Sequence, residues 1–434
     1  MFMFCATMGY AQKWYPLGTG LGALNVPAVY ALAEDTTAGY IYAGGSFTNA
    51  GPDSVFNIAR WNGTVWDTMA KGFNDVVNAL AVYKGRLYAG GNFTHSGNRA
   101  LNYIAVWNDS TWDTLTTGLN GIVYALAVHN GLLYVGGDFT TAGGVSAKHI
   151  AVWTDSTWDS VGTGFSDDVY ALGVYDNLLY AGGEFTNAGA TAVSNIAYWS
   201  GGVWNALGAG VIGYVNAIDS FNGSLYAGGN FTSAGGAPAS YIASWNGSVW
   251  DTVGQGTSSD VYALASYKGF LYVGGGFANA ESNTVNNIAS LDGAHWDSLT
   301  SGTSSAVFAF APARGLYVGG SFLLAGGDTV NCVALWDTGF VSTTGIANIA
   351  NMPEDINVYP NPSNGVFKLQ ITNYEPGITN TIEVYNMLGE KVYIKKSVIR
   401  NSQFVIDLSG QSAGVYLLRV SNESGAMTKK LIIN

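Results

Sequence analysis

The chain has 434 residues, 48 % apolar and 13 % aromatic, which suffices for a sizeable core and excludes disordered and fibrous classes. Only 11 % are charged, and 17 Lys+Arg against 29 Asp+Glu leave −12, so the basic footprint of a nucleic-acid or anionic-membrane partner is missing. With 59 Gly, 9 Pro and many aromatics, the composition points to an all-β protein with many tight turns. The two cysteines, Cys5 and Cys332, cannot form a disulfide framework, which a large secreted domain does not need. No apolar run reaches the roughly 18 residues of a membrane-crossing helix, so no transmembrane segment is expected.

Residues 1–11 read as the remnant of a secretory signal peptide. Met1 to Ala6 is a short apolar stretch, and Gly9-Tyr10-Ala11 places small residues at −3 and −1 before Gln12. The basic region that normally precedes such a stretch is lacking, so the true start is expected upstream.

From there an internal repeat governs the chain. Gly pairs in an L-Y-[AV]-G-G-x-F segment begin at Gly44, Gly90, Gly136, Gly182, Gly228, Gly274 and Gly319, a spacing of 46 that ends with one of 45. An I-A-x-W segment keeps the same beat from Ile58 to Val333, and a V-x-A segment precedes each Gly pair. Each repeat resolves into four strands, a to d. Tight turns such as Asn130-Gly131 separate a from b, a longer T-x-A-G-G loop separates b from c, and turns such as Asn62-Gly63 separate c from d. The Gly pair is expected where a neighbouring backbone or aromatic ring approaches closely, and the small Ala of strand a where the axis is crowded. All 13 Trp fall on two repeat positions, on strands c and d. Their period favours packing between units over a sugar-stacking platform.

Four-stranded units at this spacing describe a seven-bladed β-propeller over residues 12–338. The seventh set ends at Trp336 without a strand d, and a lone strand d at Lys13–Gly18 precedes the first strand a, so the N-terminal strand is expected to close blade 7. The hydrophobic-Gly-Gly pattern with its downstream Trp resembles kelch-type propellers. The longer L-Y-x-G-G-x-F-T-x-A-G-G … I-A-x-W pattern is similar to the kelch-like repeats of bacterial surface proteins and fungal cortical polarity markers, with a different spacing between Gly pair and Trp from kelch proper. That resemblance implies a fold, not an activity.

Residues 339–353 read as a linker. Residues 354–434 hold 8 basic and 7 acidic residues, leaving +1 here and −13 in the remainder, and about seven short strands there suggest a small Ig-like β-sandwich. The tail resembles the type A C-terminal sorting domain of the type IX (Por) secretion system of Bacteroidetes-like bacteria. The resemblance rests on Val358-Tyr359-Pro360-Asn361-Pro362-Ser363-Asn364-Gly365, on Val384 to Gly389, on Gly414-Val415-Tyr416 through Val420, and on Lys429-Lys430-Leu431-Ile432-Ile433. It implies Sec export through the periplasm, recognition by the type IX translocon, removal of the tail by its sorting peptidase, and a secreted or outer-membrane-surface product.

For chemistry the sequence offers little. His95, His129, His149 and His295 share no metal-ligand spacing and read as scattered surface or loop residues, so no metal site is assigned. No nucleophile elbow, zincin helix, EF-hand loop or other catalytic constellation is visible, and the chain is read as a non-enzyme. Acids recur where the b–c and d–a connections meet. Asp75, Asp138, Asp168, Glu184 and Asp260, with Asp167, are candidates for a negative ring that binds Ca²⁺ or a cationic ligand, or else are solvated turn residues. Asp-[Ser/Thr]-apolar triplets on strand d, such as Asp67-Thr68-Met69, resemble the O-glycosylation acceptor of these bacteria and equally suit an exposed edge. The expected role is binding or adhesion toward an extracellular glycan or protein, with a glycan-active enzyme using the same acids, or an envelope scaffold, as alternatives.

Overall fold

The computed structural model describes residues 12–22, 26–337, 356–371, 379–386, 391–398, 403–422 and 425–434. The segments expected to be a signal-peptide remnant (1–11) and a linker (339–353), and Gly389, lie outside them. The chain divides into two units, Met1–Phe340 and Val341–Asn434.

The first unit is a β-propeller. Its described residues form seven antiparallel sheets, each with four strands ordered a-b-c-d; in blade 5 the loop strand Ala237–Pro238 adds a fifth by pairing with strand b. Blade 1 comprises Ala28–Asp35, Tyr40–Ser46, Ile58–Trp61 and Trp66–Thr68. Blade 7 takes Val307–Pro312, Leu316–Gly320 and Val333–Asp337 from the end of the repeat and Lys13–Pro16 from its start, with Trp14 opposite Trp336. Each strand a packs beside the next, and Ala28–Asp35 packs against Val307–Pro312, which closes the ring. The T-x-A-G-G loops are small hairpins of their own, as in Thr141–Ala142 paired with Val145–Ser146.

The core lies between blades. One cluster joins Leu17, Val29, Trp61 and Trp66 to Ala309 and Val333, and six more join the other neighbouring blades in the same way. The paired Trp of strands c and d pack against each other, tilted, with ring centroids 4.9–5.5 Å apart in six blades. In six blades the strand d indole N–H also donates to a carbonyl of the preceding blade, at 2.8–3.3 Å.

The Gly pair has two different causes. A Cβ on the first glycine would lie 2.3–2.6 Å from Cγ1 of the strand a valine in the next blade, from Gly44 against Val77 round to Gly319 against Val29. A Cβ on the second would meet a carbonyl of its own strand a, Ala28 O at 2.0 Å for Gly45. The aromatic neighbour expected beside the pair is present in blade 6 at both glycines, Phe310 lying 2.9 Å from the Cβ position of Gly274 and Phe277 2.8 Å from that of Gly275. Backbone crowding at the second glycine coincides with a β-bulge in every blade, in which Val and the following residue share one partner.

The second unit holds a three-stranded sheet, Ile356–Tyr359, Val366–Ile371 and Gln403–Asp407, and a four-stranded sheet, Lys391–Val398, Thr379–Tyr385, Gly414–Asn422 and Gly425–Ile433. Both supply one core that includes Phe367, Leu369, Ile382, Val384, Ile406 and Leu418.

Candidate functional site

The bulged residue of each strand a is Tyr30, Asn78, Tyr124, Tyr170, Asn216, Tyr262 or Phe308. A bulge re-aims its side chain, and here it lines the end of the central channel where the b–c and d–a connections gather. Aromatic rings meet across blades in two arcs. Tyr124 and Tyr170 lie 5.3 Å apart edge-on, and Tyr170 and Tyr214 lie 6.4 Å apart. On the far side Tyr30 and Tyr262 flank Phe308 at 5.1 and 5.3 Å. Asn78 and Asn216 interrupt the arcs and donate to Val123 O and Val261 O. The sequence does not mark these half-exposed rings, because the residue differs from blade to blade between an invariant Val and Ala.

The five candidate acids do not form a ring. Asp138, Asp168 and Glu184 gather beside the Tyr124–Tyr170 arc. Burial raises the Asp168 carboxyl above its usual range, Asp138, Asp167 and Glu184 add to the rise, and His149 opposes it. Tyr170 donates its hydroxyl to Glu184 Oε2 at 3.3 Å. Burial raises the Tyr124 and Tyr170 hydroxyls, and nearby carboxylates push them further. Asp260 is held apart, accepting from Asn230 at 2.8 Å and from Tyr262 at 3.3 Å. Asp75 is exposed and accepts from the backbone N–H of Val76.

One histidine departs from the surface-or-loop reading. His129 is 8 % exposed at the end of strand a, where burial lowers its pKa. His149 sits in the acidic cluster, its Nδ1 3.3 Å from Asp168 Oδ1 and 3.1 Å from the Gly137 carbonyl. One oxygen each from Asp138 and Asp168 and a ring nitrogen of His149 lie within 4.8 Å of one another, so these three residues could hold a metal ion. The signal was present in the repeat: His149 fills a slot that is Asn57, Asn195 and Asn287 in other blades. Cys332 fills that slot in blade 7, buried, with its thiol pushed up to about 12 by burial.

Residues 357–434 match the family described as Secretion system C-terminal sorting domain. The tail is a secretion sorting domain. It directs export by the type IX system to the cell surface or beyond it, and the type IX secretion machinery with its sorting peptidase is therefore a partner of this chain. No helix of the described residues is long and apolar enough to cross a membrane. Within the sorting domain, Asn361 follows the strand that ends at Tyr359 and clamps the terminal strand bearing Lys429 and Lys430. It donates to Lys430 O at 2.7 Å and accepts from Ile432 N–H at 2.8 Å. Tyr359, Pro360, Pro362, Lys429 and Lys430 are exposed around that clamp. Gly365 takes φ +97° against the Ser409 backbone, and Tyr416, which follows Gly414, donates to Ser412 O at 2.7 Å. No curated protein sequence matches the chain. Among solved structures, Sqt1 from Chaetomium thermophilum is 12 % identical, with 96 % of this chain and 99 % of that one covered and a TM-score of 0.41. The Dos1 propeller is 10 % identical, with 74 % and 94 % covered and a TM-score of 0.42.

Proposed function

We propose that the propeller is a secreted or surface-held binding module without catalysis, which takes an extracellular glycan at the mouth of its central channel after its sorting tail is cleaved on export. The observation that carries this reading is the arc Tyr124–Tyr170–Tyr214 beside Asp168 and Glu184. Half-exposed rings offer apolar faces to a sugar, and carboxylates and tyrosyl oxygens accept its hydroxyl protons. The acids disfavour an anionic ligand, so a neutral or amino-sugar glycan fits best.

The test is binding of the full chain to an array of neutral and acidic glycans. Binding to neutral glycans, weakened about tenfold or more by Tyr170→Ala, is expected; ~1.4 kcal/mol corresponds to tenfold. Absence of binding, or a Tyr170→Ala variant that binds as well as the parent, would count against it. A second reading, glycoside hydrolysis, draws on the Asp138–Asp168 oxygens within 4.8 Å and the raised Asp168 carboxyl, since one protonated and one ionised carboxyl flank the bond in such enzymes. Oligosaccharide turnover lost in Asp168→Asn would select it.

A further inference from the structure

We infer that Asp138, His149 and Asp168 form a binding site for one divalent transition-metal ion of the Zn²⁺ class at the channel mouth, between blades 3 and 4. The three come from separate segments. Asp138 ends strand b of blade 3, His149 ends the loop that follows it, and Asp168 immediately precedes strand a of blade 4.

The geometry is that of a ligand set. Zn²⁺ with ligands at about 2.0–2.1 Å spaces tetrahedral neighbours by about 3.3 Å. His149 Nδ1 and Asp168 Oδ1 are 3.3 Å apart, and ligation through Nδ1 exchanges its contact with the Gly137 carbonyl for the metal. The third donor, an oxygen of the exposed Asp138, lies within 4.8 Å and is free to swing inward. Three protein ligands leave an open position, as in metal sites that take an exogenous ligand.

The repeat makes His149 the informative member. Its slot has positive φ in all seven blades: Asn57, Tyr103, His149, Asn195, Tyr241, Asn287 and Cys332 take +62° to +70°. In blades 1, 4 and 6 the Asn there donates to the carbonyl of Phe73, Val211 or Thr303 and ties the loop to the next blade. In blade 3 the imidazole faces a carboxylate instead. Asp138 and Glu184 likewise replace Ser46, Asn92, Asn230 and Ser321 of other blades. The changes away from the repeat consensus therefore converge on one place. Asp167 and Glu184 stand beside the same three residues, so the site is rich in negative charge that a dication would neutralise. An imidazole donor favours Zn²⁺ and its neighbours over Ca²⁺, which takes oxygen ligands.

The test uses the full chain free of affinity tags, stripped with EDTA and titrated calorimetrically with Zn²⁺, with Co²⁺ absorption reporting the ligand field. One Zn²⁺ per chain is expected. His149→Asn installs the residue that blades 1, 4 and 6 use at this φ, so the fold is retained while the donor is lost. It should weaken binding by at least about 100-fold, since losing a mere outer-sphere partner already costs about 10–100-fold. Asp138→Asn, at an exposed position, should weaken it too and serves if His149→Asn does not fold. No Zn²⁺ uptake, uptake unchanged in both variants, or Ca²⁺ bound as tightly as Zn²⁺ and indifferent to His149→Asn would overturn the inference. The readout needs no glycan, so its failure is separate from failure of the glycan reading.

Discussion

The indole N–H of Trp14 donates to the carbonyl of Leu299 at 3.2 Å, joining positions 285 residues apart. This bond is the seam of the propeller, because Trp14 lies on the N-terminal strand that completes blade 7 and Leu299 follows strand d of blade 6. Trp296 holds the equivalent place one blade earlier, yet its buried Nε1 has no partner. The two residues thus differ in hydrogen bonding at matched repeat positions. Trp14→Phe leaves a buried carbonyl unsatisfied and is expected to cost about 1–3 kcal/mol more than Trp296→Phe. Chemical denaturation of the two variants measures the difference, and equal losses would show that the seam bond contributes nothing.

Gly136 faces Val169 of the next blade, and a Cβ there would stand 2.6 Å from Val169 Cγ1. Gly136→Ala is therefore expected to destabilise the propeller by about 1–3 kcal/mol through overpacking. Combining it with Val169→Ala removes the colliding methyl, so the double variant should lose less than the sum of the singles. Strict additivity would mean that the glycine is required for another reason.

The propeller was legible in the sequence because its core is made by repetition. A Gly pair that admits a valine, an Ala near the axis and two Trp between blades recur at one spacing, and chance does not produce that. The sorting domain was legible through ordered local motifs. What the repeat hid was its exceptions. Tyr170 lies between an invariant Val and Ala, and nothing in the linear pattern marks it as a bulge residue. His149 and Asp168 are 19 positions apart with no ligand spacing, and only the turn from one blade into the next brings them together. The five acids were grouped by their place in the repeat, whereas seven-fold placement separates Asp75 and Asp260 from the other three. Subtracting the consensus from each repeat would have singled out blades 3 and 4.

Asp168 gives a signature in pH. Its carboxyl is raised above the ordinary value of 3.8, first by burial and then by Asp138, so the folded state holds this proton more tightly than the unfolded chain. Its contribution to stability is full below that value and is lost as pH rises through the folded pKa. Asp219, raised by burial beneath strand a of the next blade, contributes a slope of the same sign. Asp168→Asn should flatten the fall in Tm above pH 4 in part, leaving the share that Asp219→Asn removes. A Tm that rises across this range, or a slope untouched by Asp168→Asn, would contradict the assignment.

Asn361 ties the Tyr359–Pro362 motif to the last strand through two hydrogen bonds made by one side chain, to Lys430 O and from Ile432 N–H. Each such bond has a net worth of about 0.5–1.5 kcal/mol, so Asn361→Ala should destabilise the sorting domain by about 1–3 kcal/mol and free the terminal strand. Hydrogen exchange at Ile432 N–H reads that release directly. Lys430 contributes only its backbone to the clamp while its side chain is exposed, so Lys430→Ala should leave exchange unchanged. In a host with a type IX system, surface delivery of the two variants then separates the causes. If only Asn361→Ala fails, the machinery needs an ordered terminal strand. If Lys430→Ala fails as well with exchange intact, the machinery reads the basic side chain that the strand presents.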